Sequence, residues 1–364
     1  MKILFDYQIL MLQRLGGISR YYYELMQEVQ KKKENEVFLP VAISQNYYFR
    51  NLVKTTNKLH FRMDTFRNTL KTLLCLYSKK IDVIHPTYYY PNYLKFFWGK
   101  NRRKTKLVIT VYDLISELFY PNLDKGGLAK RKETILNADG IIAISEHTKR
   151  DLLKVYPELD PEKIKVIYLA ASMEKPTKEV DISFLPDKYI LFVGNRTLYK
   201  NGNALLRAFV EVSKKHTDVF LVMAGGGAFN DEECQIIKKN RMEERIVQKN
   251  LSDDELYYAY KKAICFVYPS LYEGFGIPIL EAFYCNCPVV LSNASCFPEI
   301  AQDAALYCDG EDVISMAQAI EEFVLDGRKR EEYILRGQKR LADFNWEKVA
   351  NETLDFYKYI IDRN

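Results

Sequence analysis

The chain has 364 residues, which is too long for one ordinary domain and fits two domains of about 150 to 180 residues. Its net charge is only +5, but residues 1–175 carry 30 lysines and arginines against 18 acidic residues, so the first half is basic and the remainder acidic. This asymmetry favours an anionic partner such as a membrane surface or a lipid phosphate, although a merely solvated basic face explains it equally well.

Seven cysteines stand mostly in apolar stretches without a Cys-x-x-Cys pair, so we expect reduced core thiols in a cytoplasmic protein. The N-terminus, MKILFDYQIL, contains Asp6 and no cleavage site, which predicts a first strand and not a signal peptide. The nearly uncharged window 274–298 contains three prolines, which favours a helix, a turn and a strand over a membrane span.

Short apolar segments alternate with helical ones, which is typical of parallel sheets covered by helices. The strands predicted in the first half are Lys2–Tyr7, Val37–Ile43, Asp82–His85, Leu107–Tyr112, Gly140–Ile144 and Lys165–Tyr168. Helices are predicted between them, notably Ile18–Lys31 and Glu146–Tyr156. The segment 171–187 loses periodicity and collects prolines and charges, so it is the predicted linker.

The same alternation begins again in the second half. Its predicted strands are Tyr189–Val193, Val219–Ala224, Arg245–Gln248, Ile264–Tyr268, Pro288–Leu291 and Ala305–Tyr307. Helical sequence closes the chain from Val313 onward, and the last helix has an apolar side that needs a partner surface. The pattern predicts two doubly wound α/β domains.

The most distinctive motif is Ser270–Ala282, SLYEGFGIPILEA, in which two glutamates eight residues apart enclose a glycine-rich turn that leads into a helix. Its glycines permit unusual backbone angles, and Pro278 suits the first position of a helix. Free N–H groups at the helix start favour an anion such as a phosphate, while Glu273 and Glu281 can accept hydrogen bonds from hydroxyls. Anion donors between two hydroxyl acceptors predict a sugar-nucleotide site.

A second motif, GNRTLYKN, follows the predicted strand Tyr189–Val193 and places Arg196 and Lys200 just beyond its carboxyl end. Open α/β sheets bind their ligands at that edge. A guanidinium and an ammonium group there can neutralise a pyrophosphate without a metal ion, although two cations in a loop are often ordinary surface residues.

Weaker signals follow two other strands. Gly225–Gly227 permit either close backbone approach or a simple turn. The segment QKNLS, with Asn250 and Leu251, can present its backbone to a nucleotide base, and Ser252 with Glu255 has the spacing of a capping box. The two aspartates between them fit the first turn of a helix better than a metal site.

Candidates in the first half also lie at predicted strand ends. Gly17 opens a helix after the first strand and offers N–H groups to an anion, while Ser145 is expected to cap a helix. His85, Tyr112 and Asp113 end two further strands and are candidates to line a cleft, although a histidine at such a place is often structural. The sequence contains no G-x-S-x-G, Walker or H-E-x-x-H motif, so those enzyme classes have no support.

Together these motifs make the chain resemble the retaining nucleotide-sugar glycosyltransferases of glycosyltransferase family 4, which have the GT-B fold. The resemblance spans nearly the whole length and rests on EGFGIPILEA with the preceding VYPS, GNRTLYKN, LVMAGGG, SNASCFPEI, DAALY and GGISRY. It implies two Rossmann-like, doubly wound domains facing a central cleft: an acceptor domain over 1–172 and a donor domain over 173–345. A closing helix over 346–364 is then expected to return to the N-terminal domain.

The resemblance also implies residue roles. Glu281 is expected to hold the ribose hydroxyls and Glu273 the transferred sugar, while Arg196 and Lys200 bind the pyrophosphate. Many relatives carry a histidine where this chain has Tyr112, so the usual sugar contact is altered there. The other expected donor contacts are Gly17, Asn250, Leu251, Gly274, Phe275, Gly276 and Ile277, and the candidate acceptor or sugar contacts are His85, Tyr112 and Asp113.

The implied reaction transfers a hexose from a UDP- or GDP-sugar to a hydroxyl of a glycan or lipid-linked acceptor, with retention and with no metal or cofactor. The leaving phosphate accepts the acceptor's proton, so no enzymic nucleophile is needed. We expect a role in cell-surface polysaccharide or lipopolysaccharide synthesis, in the cytoplasm or at the inner face of an anionic membrane, without a nucleic-acid partner. The alternatives are a sugar-nucleotide epimerase of similar fold and a non-catalytic sugar-nucleotide or glycan-binding protein.

Overall fold

The structure is a computed structural model that describes residues 1–56, 58, 60–96, 105–122, 124–196 and 198–363. Contacts divide the chain into two units: residues 1–169 together with the segment from Asn345 onward, and residues 170–344. The sequence placed these divisions at 172 and 345. Residues 97–104, which belong to an aromatic and basic segment of the sequence over 88–106, lie outside the described residues.

The first unit contains a parallel sheet with the strand order β2-β1-β3-β4-β5-β6. The strands are β1 Lys2–Phe5, β2 Glu36–Phe38, β3 Val83–His85, β4 Lys106–Val111, β5 Gly140–Ala143 and β6 Ile164–Val166. The helices described between them are α1 Gln8–Leu12, α2 Gly17–Gln30, α3 Phe61–Ser78, α4 Ile115–Phe119, α5 Lys125–Asn137 and α6 Glu146–Val155. Strand β1 pairs with β2 on one side and with β3 on the other. The direction in which successive strands are added to the sheet therefore reverses between β1 and β3.

The second unit contains another parallel sheet, in the order β12-β11-β10-β7-β8-β9. Its strands are β7 Tyr189–Val193, β8 Phe220–Ala224, β9 Ile246–Lys249, β10 Cys265–Tyr268, β11 Val289–Ser292 and β12 Leu306–Cys308. Its helices are α7 Gly202–Lys215, α8 Asp231–Lys239, α9 Asp253–Lys262, α10 Ile277–Tyr284, α11 Phe297–Ala301, α12 Val313–Leu325 and α13 Gly327–Leu341. Here the sheet changes direction between β7 and β10.

Each predicted strand has a counterpart in the structure, which confirms the two doubly wound α/β sheets. One prediction was wrong in extent, because the expected strand Val37–Ile43 ends at Phe38. Pro40 lies just beyond this point and has no N–H group with which to continue a ladder. The strand β2 is therefore a short edge strand.

The last helix, α14 Trp346–Asp362, belongs to the first unit. The ring of Trp346, the first residue of this helix, lies 6.0 Å from the ring of Tyr21 on α2. Tyr357, further along the same helix, is fully buried. Gly140 faces this helix, and a Cβ at that position would come within 2.8 Å of Ile360. A small residue at the start of β5 thus permits close packing of α14 on the sheet.

The seven cysteines are free thiols, five of them buried. Among the described residues, no helix combines the length with the apolar composition that crossing a bilayer requires.

Candidate functional site

The centre of the candidate site is a contact between Lys200 and Glu273 in the second unit. The Lys200 ammonium lies 2.5 Å from Oε1 of Glu273, and the same oxygen accepts a hydrogen bond of 2.7 Å from the Tyr268 hydroxyl. Lys200 also donates to the Tyr268 hydroxyl over 3.0 Å. The two charged side chains are only 15% and 11% exposed, so solvent screens this pair weakly.

The backbone stabilises Glu273 in this position. Its N–H donates to Oγ of Ser295 over 3.0 Å, and the Ser295 hydroxyl donates to the Glu273 carbonyl over 2.5 Å. Burial, together with the charge of Glu273, raises the pKa of Tyr268 well above its usual value. Tyr268 is therefore a neutral hydrogen-bond donor to the carboxylate across the physiological pH range.

The site lies where the second sheet changes direction. Lys200 follows the carboxyl end of β7, and Tyr268 is the last residue of β10, the strand beside it. Loops that leave two such strands in opposite directions open a crevice, where open α/β sheets bind their ligands. The sequence predicted this edge for both Lys200 and Glu273.

The second glutamate of the motif lies on the helix that follows. Helix α10 begins at Ile277, so Pro278 is its second residue and Glu281 lies about one turn further on. Gly276 precedes the helix with φ +91°, and a Cβ there would come within 3.0 Å of the Phe297 ring. Only glycine combines that backbone angle with that close approach.

Two residues of the motif have side chains that already contact other groups of the protein. The Glu281 carboxylate accepts a hydrogen bond of 3.2 Å from the Tyr260 hydroxyl. Phe275 is 2% exposed, and its ring packs edge-on against Phe344 at 5.8 Å. The side chain of Phe275 is thus part of the core, and its predicted main-chain contact with the donor stays a prediction.

Arg196 makes its hydrogen bonds to other partners than Lys200 and Glu273. Its Nε donates to Glu233 over 2.6 Å, and its two terminal nitrogens donate to the carbonyls of Gly225, Gly227 and Ala228 over 2.8 to 2.9 Å. The Arg196 side chain is only 4% exposed. In this structure the guanidinium stabilises the glycine loop, and its direct contact with a pyrophosphate stays a prediction.

The glycine loop, Gly225–Gly227, follows β8 on the same sheet edge. Its three residues have φ values of +92°, +74° and +70°, and a Cβ at Gly226 would come within 2.6 Å of an Arg196 nitrogen. The sequence left open whether these glycines form a turn or permit close approach. The structure shows that Gly226 permits the approach of Arg196 to the loop.

The predicted base-binding segment lies at the carboxyl end of β9. Asn250 is exposed there, and its side-chain oxygen accepts from Gln248 over 3.2 Å. Leu251 is half-buried, and the capping box of Ser252 and Glu255 is confirmed. Across the described ranges no three histidine, cysteine or acidic side chains cluster closely enough to suggest a metal site.

In the first unit, the structure contradicts the suggestion that His85 contacts a sugar. Its side chain is fully buried, with Nδ1 at 2.5 Å from the Tyr357 hydroxyl and Nε2 at 2.9 Å from the Thr110 hydroxyl. Burial lowers the pKa of His85 to about 3, so the ring is neutral at physiological pH. His85 is a structural residue between β3 and α14, the alternative that the sequence had also allowed.

The other first-unit candidates lie nearer the surface. Tyr112 is 8% exposed, packs edge-on against Tyr21 at 5.7 Å, and buries its hydroxyl without a well-aligned hydrogen bond in the described part of the chain. Asp113 is half-buried and accepts from the Ile115 N–H over 3.0 Å. Gly17 is exposed as the first residue of α2. Their predicted contacts stay predictions.

Sequence reasoning missed a cavity of about 440 Å³ in the first unit. It lies beyond the carboxyl ends of β1 and β3, the change of direction in that sheet. The residues that line it are Tyr7, Gln8, Met11, Leu12, Phe61, Thr65, Tyr90, Asn92, Asp124, Gly126, Gly127 and Lys130. The available signal was Asp6, whose buried carboxylate accepts hydrogen bonds from Gln8, Thr87 and Tyr93 and so fixes the loops around the cavity.

Comparison with known proteins agrees with this geometry. A model described as Glycosyltransferase Family 4 matches residues 15–175, and one described as Glycosyl transferases group 1 matches residues 175–340. HepE of Anabaena, solved in complex with UDP-glucose, superposes with a TM-score of 0.73 at 17% identity, covering 98% of this chain and 99% of that one. The two Rossmann-like units are thus those of the GT-B fold, and the chain belongs to glycosyltransferase family 4.

Two relatives indicate the chemistry found in similar sequences. O-antigen chain mannosyltransferase B of Escherichia coli is 29% identical over 242 residues, which cover 63% of this chain and 62% of that protein. The match therefore spans less than two thirds of that relative's length. The N-acetylgalactosamine-N,N'-diacetylbacillosaminyl-diphospho-undecaprenol 4-alpha-N-acetylgalactosaminyltransferase of Campylobacter jejuni is 28% identical, with 73% of each chain covered.

Proposed function

We propose that this protein is a retaining, metal-independent hexosyltransferase that uses a UDP- or GDP-sugar and glycosylates a hydroxyl of a glycan or lipid-linked acceptor. The observation that carries the proposal is the Lys200 and Glu273 pair at the change of direction in the second sheet, with Glu281 on the helix that follows. The named activities of the two relatives support a role in cell-surface polysaccharide or lipopolysaccharide synthesis. The proposed location is the cytoplasm, at the inner face of the membrane.

The second unit supplies the groups that bind the donor in this proposal. Glu281 accepts the ribose hydroxyls and Glu273 accepts a hydroxyl of the transferred sugar. Main-chain N–H groups at the start of α10 bind phosphate oxygens, as helix N-termini commonly do. Asn250 and Leu251 contribute main-chain contacts at the base, because they lie at the carboxyl end of β9 on the same sheet edge.

Departure of the nucleoside diphosphate is the step that generates charge. In the proposed mechanism Lys200 and the N-terminus of α10 stabilise that charge, which makes a divalent ion unnecessary. The leaving phosphate accepts the proton of the attacking acceptor hydroxyl, which then bonds to the anomeric carbon on the face that the phosphate leaves. Arg196 supports the phosphate site through the glycine loop, with direct contact to the pyrophosphate as the further prediction.

We propose that the acceptor binds in the cavity of about 440 Å³ in the first unit. Its aromatic residues Tyr7, Tyr90 and Phe61 suit the apolar faces of a sugar ring or a lipid chain. Asp124 and Lys130 supply an acceptor and a donor for hydroxyl groups. UDP-glucose in the HepE complex supports a nucleotide-sugar donor as the other substrate.

A donor panel tests this function. Purified protein is incubated with UDP-, GDP- and ADP-sugars together with simple and undecaprenyl-linked sugar acceptors, and nucleotide release and product mass are followed. We expect one donor to give a product heavier than its acceptor by one glycosyl residue, with retained anomeric configuration by NMR. Interconversion of the donor sugar without an acceptor would instead indicate an epimerase, and binding without turnover a non-catalytic binding protein.

A further inference from the structure

Helix α3 has a mostly polar buried face and an apolar exposed face, the reverse of the arrangement in α2. Its buried residues recur every fourth position and are mostly polar: Asp64, Asn68, Thr72 and Leu76. Its exposed residues form an apolar stripe at the complementary helical positions, with exposures between 47% and 67%, and these residues are Met63, Phe66, Leu70, Leu74 and Tyr77.

The polar inner face is fully accounted for by hydrogen bonds. Asn68 accepts from the N–H groups of Ala42 and Ile43 and donates to the Ile43 carbonyl over 2.9 Å. Asp64 accepts from the His60 N–H over 2.8 Å. These hydrogen bonds fix the rotation of α3 about its own axis. The apolar stripe therefore faces outward in the folded unit.

Basic residues border the stripe. Arg62 flanks it on one side, and Arg67 and Lys71 flank it on the other, at the positions that the helical period of 3.6 assigns. The exposed pair Lys79 and Lys80 follows the helix directly. The one acidic residue of the helix, Asp64, is 1% exposed and pairs with Arg67 at 3.1 Å, while the Arg67 side chain itself stays 54% exposed.

We propose that this outward face of α3 docks the protein on an anionic bilayer. An apolar stripe between two basic borders is the arrangement that places a helix in the plane of a membrane interface, with basic side chains at the headgroups. A symmetric contact with a second copy would bring the basic borders of both copies together, which is unfavourable. Charge complementarity therefore selects the lipid surface as the partner.

The docking surface adds a membrane partner to the proposed function. It depends on that proposed function only in assuming a lipid-linked acceptor. Phe61 and Thr65, from the first turns of α3, also line the cavity of about 440 Å³. Docking through the stripe would hold α3, which contributes one wall of that cavity, at the membrane surface. An acceptor carried on a membrane lipid would then be concentrated near the cavity.

The first test uses a fluorescent reporter in the stripe. Phe66→Trp is compared with Leu335→Trp, because Phe66 and Leu335 are 67% and 66% exposed but lie in different units. Addition of phosphatidylcholine vesicles containing phosphatidylglycerol is expected to shift the emission of Phe66→Trp to shorter wavelength and to leave Leu335→Trp unchanged. No shift, or an equal shift in both variants, would overturn the proposal.

The second test separates lipid contact from misfolding and from protein association. Leu70→Glu/Leu74→Glu is expected to abolish co-sedimentation with the anionic vesicles, whereas Leu325→Glu/Leu335→Glu retains it. Lys79→Ala/Lys80→Ala should weaken binding on the order of tenfold, and Lys238→Ala/Lys239→Ala should not. A native dimer that only the stripe variant converts to a monomer, without vesicle binding, would show that a second copy covers the face.

Transfer to a soluble acceptor without vesicles is measured in parallel. The stripe variants are expected to keep that activity, because none of the changed residues belongs to the donor site or the cavity. Vesicle binding by a protein that transfers no sugar would refute the proposed function alone. Full transfer by a protein that ignores vesicles would refute the docking surface alone.

Discussion

The proposed chemistry depends first on two side chains, Lys200 and Glu273. They contact each other at 2.5 Å and are mostly buried, so each depends on the other for neutralisation of its charge. Lys200→Ala would leave the Glu273 carboxylate without its cation and would remove the group proposed to meet the leaving phosphate. We expect the rate of transfer to fall by at least about a hundredfold, as for loss of a transition-state contact.

The matched control for this change is Lys239→Ala on the exposed last turn of α8. We expect it to leave the rate unchanged. Thermal unfolding of both variants shows whether they are folded at the assay temperature. A folded Lys200→Ala protein with the wild-type rate would remove Lys200 from the site.

Arg196 leads to a prediction about stability. It forms a buried ion pair with Glu233, with side-chain exposures of 4% and 1%. Arg196→Ala leaves Glu233 buried without a counter-ion, so we expect the free energy of unfolding of the second unit to fall by about 3 to 5 kcal/mol. Urea unfolding followed by circular dichroism measures the change.

A comparable pair on the surface provides the control. Arg207 pairs with Glu232 at 3.3 Å, but these side chains are 51% and 58% exposed. Arg207→Ala is expected to cost less than about 1 kcal/mol, because solvent screens the pair. Equal losses of unfolding free energy in Arg196→Ala and Arg207→Ala would mean that burial does not make the Arg196 ion pair more stabilising than the exposed one.

The sequence predicted the strand edge at which Lys200 and Glu273 meet, because motifs at the ends of adjacent parallel strands converge there. It did not predict how Arg196 and Lys200 divide their contacts. Both residues follow β7, and only the folded loop shows that Arg196 turns to Gly225 and Glu233 while Lys200 turns to Glu273. Local spacing carries no information on such a divergence.

At the scale of elements, β3 and α14 meet through His85 and Tyr357. Burial lowers the pKa of His85 from 6.5 to about 3. Between these two pH values the imidazole of His85 is therefore protonated in the unfolded chain but neutral in the folded protein. This contribution to stability is complete above about pH 6.5 and is lost progressively as the pH falls toward 3. The expected slope is at most about 1.4 kcal/mol per pH unit.

The variant His85→Gln checks this prediction. Its stability should fall less between pH 7 and pH 5 than that of the wild type, as measured by urea unfolding at the two values. Tyr357→Phe removes the hydroxyl partner but keeps the buried imidazole, so it should retain the wild-type pH dependence. A wild-type dependence in His85→Gln would show that another group is responsible.

Helix α3 shows where sequence patterns fail at this scale. Apolar periodicity normally identifies the buried face of a helix, and applied to α3 that rule selects the stripe that the structure exposes. The true inner face depends on bonds from Asn68 to backbone groups near residue 42, which are distant in sequence. Helices such as α2, with a conventional apolar inner face, were predictable within a residue.

For the molecule as a whole, the alternation of strands and helices in the sequence was sufficient to predict two doubly wound units. The inner strands of both sheets are almost entirely buried, so their apolar runs are conspicuous in the sequence. The position of the last helix was harder to predict, because its apolar side alone does not indicate which part of the protein it packs against. Gly140 and His85, which contact it in the fold, are far from it in the chain.

The metal-independent mechanism makes a prediction for the intact protein. If Lys200 and the N-terminus of α10 stabilise the leaving diphosphate, the initial rate of transfer is expected to be unchanged by EDTA. Added magnesium should likewise leave the initial rate of transfer unchanged. A rate that EDTA abolishes and magnesium restores would place a divalent ion in the reaction.

The proposed transfer is tested directly by the initial rate of nucleoside-diphosphate release coupled to formation of the glycosylated product. It is measured with the best donor for the wild type, for Glu273→Gln, and for Glu331→Gln at an exposed position of α13. We predict loss of at least about a hundredfold in Glu273→Gln and the wild-type rate in Glu331→Gln. Equal rates in all three proteins, or no product from the wild type with any donor, would contradict the proposed transfer reaction and the role of Glu273 in it.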